Sequence, residues 1–134
     1  MPFMYKDSQI TQLWNVWDTA YPKAKWIIVR RRTGDILNSL SETAYMTKFK
    51  KVQNIEQVGA INEKEAWLWW VHEYEERFRD ILAFGLDYRV VWPERMRDGD
   101  FEQIKEVVKW CGLNWNEEVV SVMDNLLNKK KNEQ

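Results

Sequence analysis

Apolar positions along the chain fall into two kinds of pattern. Ile10, Leu13, Trp14 and Trp17 recur at helical spacing and predict a short helix to about Thr19, capped by Ser8 and ended by Tyr21-Pro22. Trp26–Val29 is instead an unbroken run, WIIV, as expected of a strand buried in a parallel sheet. A turn over residues 30–34 leads into a second predicted helix at 35–43. Residues 47–61 carry no clear period and predict a loop with irregular helix. Asn62 and Glu65 stand at capping-box spacing before the longest predicted helix. Its inner face is expected to be Ala66, Trp67, Trp70, Val71, Tyr74, Phe78, Ile81 and Leu82, with Gly85 as the stop. Residues 88–92, YRVVW, predict a strand closed by Pro93. Asp100 is placed to cap a helix running to about Trp110 and ended by Gly112, and a last helix is expected over residues 116–127. Residues 3–5 are apolar enough for a further brief strand.

Strands alternating with helices predict an α/β class: a small parallel sheet flanked by helices, in a helix-rich chain. One domain is expected over residues 1–128, with a polar, flexible tail at 129–134. Trp26, Ile28, Trp70, Tyr74, Phe78, Val90 and Ile104 are expected in the core.

Composition narrows the function classes. Twenty basic against 21 acidic residues give a net charge near −1, so nothing global calls for a nucleic-acid or membrane partner. No apolar run is long enough to span a bilayer, and the start MPFMYKDSQ has no signal-like stretch. Cys111 is the only cysteine, which excludes an internal disulfide and argues against a cysteine zinc site; a cytoplasmic compartment is the expectation. The nine tryptophans stand out. Most are expected to pack a small core and a minority to sit at an interface, so the chain is expected to be a homo-oligomer or to bind a second protein chain.

The chemistry-bearing segment is residues 25–40, KWIIVRRRTGDILNSL. A strand ends in three arginines and turns into a helix, whose start offers free N–H groups and a partial positive charge to an anion. Arg31 has the fork of donors that grips a phosphate, and Ser39 adds a hydroxyl one turn after Asp35. The alternative for the triplet is a solvated, salt-bridged turn. Lys6 and His72, the only histidine, are weak catalytic candidates beside simpler readings as exposed side chains. Glu73, Glu75, Glu76 and Asp80 read as a solvated helix face, and no metal site is expected.

Arg31, Asp35 and Ser39 resemble the arginine–aspartate–serine pattern of sulfotransferases that use 3′-phosphoadenosine 5′-phosphosulfate (PAPS). The stretch YPKAKW at 21–26, the Lys6-Asp7 pair, and residues 88–96 followed by Trp110-Cys111-Gly112-Leu113 are similar to other landmarks of the family. The wording is most like that of short sulfotransferase-like proteins encoded by bacteriophages. The resemblance implies that Arg31 and Ser39, eight residues apart, hold the 3′-phosphate of PAPS or of its product adenosine 3′,5′-bisphosphate (PAP). It also implies that Lys6 matches a lysine acting near the leaving oxygen. The family's phosphosulfate loop of glycine and lysine is missing, as is its late arginine–lysine–glycine motif, and Trp92–Met96 departs from its acidic turn. The chain is therefore expected to be incomplete as an enzyme on its own, or else to be a non-enzymatic accessory or inhibitor protein binding a partner through aromatic surface.

Overall fold

In the computed structural model, which describes residues 4–132 and side chains through Leu126, the WIIV run forms strand β1 (Trp26–Val29). It pairs in parallel with β2 (Tyr88–Val91), in the register Trp26 to Tyr88 through Val29 to Val91. Among the described residues the chain also forms seven α-helices: α1 (Trp14–Ala20), α2 (Thr33–Glu42), α3 (Val52–Gln57), α4 (Glu63–Phe84), α5 (Pro93–Arg97), α6 (Glu102–Trp110) and α7 (Glu118–Asn132). The result is helix-rich with a small two-stranded parallel sheet, the coarse α/β arrangement that the apolar pattern predicts.

The chain divides into two compact units. The first comprises the residues up to Ala24 and Arg32–Asp87; the second comprises Lys25–Arg31 and the chain from Tyr88 onward. In the first, α2 and α4 close on Phe49, which is fully buried in a short 3-10 turn at Lys48–Lys50. Leu37, Ala66, Trp67 and Val71 complete that core. The Phe49 ring meets Trp67 edge-on at 4.7 Å, a favourable aromatic geometry. Residues 47–61, expected to be a loop with irregular helix, form the 3-10 turn and α3 and supply a large, fully buried side chain of the unit. In the second unit Ile28, Val91, Phe101 and Val107 are buried, and α6 packs on β2.

The long helix begins and ends as its sequence dictates. Asn62 Oδ1 accepts from the Glu65 N–H at 2.9 Å, and the Glu65 carboxylate reaches back to accept from Ile61 N at 3.1 Å. Gly85 closes it at φ 84°, a left-handed position that a side chain would strain. Asn62→Ala is expected to cost about 1 kcal/mol in urea unfolding, since it strands a helix-start N–H.

Several expectations are corrected. The N-terminal helix is not continuous from Ser8: residues 8–10 form a 3-10 turn, and Asp7 caps it by accepting from Gln9 N at 2.9 Å. Of the proposed strand at 3–5, Phe3 lies outside the described residues; Met4 and Tyr5 are irregular, and the Tyr5 ring stacks on Trp17 at 4.8 Å. Trp92 leaves the sheet to cap α5, because Pro93 has no N–H to continue a ladder and suits a first helical position. The last helix runs on past Leu127 to Asn132. WIIV is not buried throughout, since Ile27 and Val29 alternate away from buried Ile28 and are exposed. Leu82 is also exposed. Trp26, Trp70, Tyr74, Phe78, Val90 and Ile104 are only half-buried, which leaves Ile28 as the one fully buried member of the expected core set.

Candidate anion-binding turn

The end of β1 sorts the three arginines by their surroundings. Arg30 extends the ladder by donating its N–H to Val91 O at 2.8 Å. Its guanidinium lies 5.8 Å from the Trp92 ring centroid, a cation–π distance. Arg32 caps α2 in an extended conformation, without a side-chain cap bond. Arg31 between them is exposed, and among the described residues no ion pair or side-chain hydrogen bond engages it.

Other basic groups of the second unit are similarly taken up. Trp110 is flanked by Lys25, 5.3 Å from its ring centroid, and by Arg89, 4.6 Å from it. The Lys25 ammonium also donates to Trp110 O at 2.6 Å. These contacts were not legible from spacing alone, because the partners lie far apart in sequence. Lys25, Arg30 and Arg89 thus have aromatic or hydrogen-bonded partners, whereas for Arg31 no such contact occurs among the described residues.

Beyond the turn, α2 opens with Thr33, Gly34 and Asp35, and a side chain at Gly34 would meet open space. Asp35 stands in the first turn, where a carboxylate favours the positive end of the helix. Ser39 lies one turn later and is exposed; its carbonyl accepts from Thr43 N at 3.0 Å. Ser39 and Asp35 share α2 in the first unit, whereas Arg31 belongs to the second.

Lys6 is exposed in the irregular segment before the 3-10 turn. Its neighbours are tied to α4: burial pushes the Tyr74 hydroxyl above its ordinary pKa, a Ser8 hydrogen bond opposes that shift, and the Asp7 charge adds to it. His72 is exposed on α4, with no hydrogen-bond partner among the described residues to orient it as a base. No cluster of three metal-ligating side chains occurs among the described residues. No described helix is long and apolar enough to cross a membrane. A shallow cleft of about 400 Å³ is lined by Asp18, Lys23, Phe84 and Asp87 among others, away from Ser39 on α2.

Among the described residues, the ion pair of Glu63 is the one with a resolved electrostatic consequence. Its carboxylate meets Lys50 at 2.8 Å and accepts from the Trp67 indole at 3.3 Å. The Lys50 hydrogen bond chiefly holds its pKa below the ordinary 4.5. A lowered folded-state pKa stabilises the fold above the ordinary carboxylate value, and that contribution disappears as pH falls through the lowered one. The pair is partly exposed, so the effect is a few tenths to about 1 kcal/mol. Urea midpoints measured between about pH 7 and pH 3 are expected to fall less steeply for Glu63→Gln than for the native chain.

No protein-family model, curated protein or solved structure matches this chain.

Proposed function

We propose that the chain is sulfotransferase-like and binds the 3′-phosphate of PAPS or PAP through Arg31 and Ser39. The observation that carries this reading is the strand–turn–helix of residues 26–42, in which Trp92 takes up Arg30 while Arg31 stays exposed and unengaged. An exposed arginine suits a dianionic phosphate, which accepts a fork of charge-assisted bonds. The spacing Arg31–Asp35–Ser39 supplies the family reading, and the α/β alternation is compatible with it.

Sulfuryl transfer depends on positioning and on neutralising charge that develops on the transferred group. None of the five glycines in these 134 residues is followed by lysine, so the sequence holds no loop of the phosphosulfate-cradling type. These residues by themselves are therefore expected to bind PAP without turning over PAPS. Calorimetric titration with PAP, alongside a sulfuryl-transfer assay, tests both halves. Absence of heat at millimolar PAP would sink the nucleotide reading. Turnover by the chain alone would contradict the need for the loop.

A second reading has its own support. Several large aromatic and aliphatic side chains of the first unit, Tyr5, Leu13, Val16, Tyr21 and Phe84 among them, are exposed, which favours a protein-binding surface.

A further inference from the structure

The two strands differ in what becomes of their outer edges. Arg30 N donates to Val91 O, and with the register of β1 on β2 this bond fixes which backbone groups of each strand face the other. On β1 the N–H and C=O of Ile28 point toward β2, so those of Ile27 and Val29 point away from it. On β2 the outward groups belong to Tyr88, Val90 and Trp92.

The outer edge of β2 is capped at both ends. Trp92 N donates to Gln103 Oε1 of α6 at 2.8 Å, and Tyr88 O accepts from the Arg89 guanidinium at 2.7 Å. The outer edge of β1 has no such cover. Among the described residues, no hydrogen bond takes up the N–H or C=O of Ile27 or Val29. Both residues reach solvent, Ile27 being 37% and Val29 58% exposed. A bare edge of this kind is a template for another extended chain, and a two-stranded sheet gains from a third strand.

Charge decides which extended chain fits. Residues 25–31, KWIIVRR, hold Lys25 before the strand and Arg30 and Arg31 after it, with no acid between. Arg31 follows Ile27 and Val29 at the next alternate position, and it is exposed without an ion pair or side-chain hydrogen bond among the described residues. The same strand of a second copy is a poor match. In a two-fold antiparallel pairing that uses both bare residues, Ile27 lies opposite Val29 of the other copy, which sets Lys25 opposite Arg31 and repels at both ends. A strand with carboxylates at its ends satisfies the hydrogen bonds and the charges together.

We infer that the outer edge of β1 takes up an extended, acid-flanked segment of another protein as a third strand, its backbone bonding Ile27 and Val29 and a carboxylate meeting Arg31. The edge uses backbone groups that the nucleotide reading leaves free, with Arg31 common to both. The probe is a synthetic peptide, acetyl-EEVTVTEE-amide, titrated into the isotopically labelled full chain and followed by amide NMR. The N–H signals of Ile27 and Val29 are expected to move downfield as the peptide binds. Methylating one alternate set of the peptide's N–H groups is expected to abolish binding, and methylating the other set to leave it within about threefold, because only one row of a strand's backbone groups faces its neighbour. Lysine in place of the peptide's glutamates, and Arg31→Ala in the chain, are each expected to weaken binding about tenfold or more. Unmoved Ile27 and Val29 signals at millimolar peptide overturn the inference. So does equal binding of the glutamate and lysine peptides, and so does equal loss from the two methylated sets. A chain that binds PAP but not the peptide refutes only the strand edge, and one that binds the peptide but not PAP refutes only the nucleotide site.

Discussion

Phe49→Ala is expected to lower the unfolding free energy by about 3–5 kcal/mol, the largest loss of any single truncation in the first unit. The ring has no exposed surface and lies where α2 and α4 close together. It meets Trp67 edge-on at 4.7 Å and Trp70 at 6.5 Å. Phe49 sits at φ −96° and ψ 19° inside a 3-10 turn at Lys48–Lys50. Removing the ring empties the space between two helices that cannot close over it without moving that turn. Trp70→Ala is expected to cost clearly less, because Trp70 is half-buried and its outer face carries Lys48 at 4.4 Å. Denaturant unfolding of the two variants ranks them, and a larger loss at Trp70 would mean that α4 presents a different face to the core.

The second large effect is on ligand affinity. Arg31→Ala is expected to remove a charge-assisted contact worth about 1.5–3 kcal/mol, roughly tenfold or more in PAP affinity. Because Arg31 is exposed and makes no ion pair or side-chain hydrogen bond among the described residues, the change is expected to leave the unfolding midpoint in place. Ser39→Ala is expected to cost about 0.5–1.5 kcal/mol of binding, as a neutral hydrogen bond does. Arg30→Ala gives the opposite profile: it removes the contact with Trp92 and is expected to lower stability more than affinity. Equal losses of affinity at Arg30 and Arg31 would point to general electrostatic attraction instead of a positioned phosphate.

The parts of the fold legible in the sequence were those set by local chemistry. WIIV became β1 over the same residues, since a run of β-branched and aromatic side chains has little other use. Asn62, Gly85 and Gly112 marked helix ends because a cap or a positive φ is decided by one or two residues. Burial was harder to read. Spacing alone placed Trp70, Tyr74 and Phe78 inward, yet a long helix in a small unit has too few neighbours to cover every apolar side chain. Phe49 was missed for the converse reason: a 3-10 turn of three residues has no period to detect, and only the closing of α2 on α4 makes its position central.

The candidate site was legible as residue types at a spacing, and no further. Arginine, aspartate and serine at 31, 35 and 39 identify a segment fit for phosphate. Which arginine is available depended on Trp92, sixty-odd residues away in sequence and brought to Arg30 by the parallel pairing of β1 with β2. The surroundings of α1 were concealed in the same way: Leu13, Trp14 and Trp17 have the spacing of an inward face, yet Leu13 is exposed and Trp14 and Trp17 are only half-buried, against Phe84, Tyr5 and Tyr21.

The most direct measurement is a paired calorimetric titration of the chain with PAP and with adenosine 5′-monophosphate, which lacks only the 3′-phosphate. The native chain is expected to bind PAP at least tenfold more tightly than the monophosphate, and Arg31→Ala to bring the two close together. Equal affinity for both nucleotides in the native chain, or binding of neither at millimolar concentration, would contradict a 3′-phosphate site at Arg31.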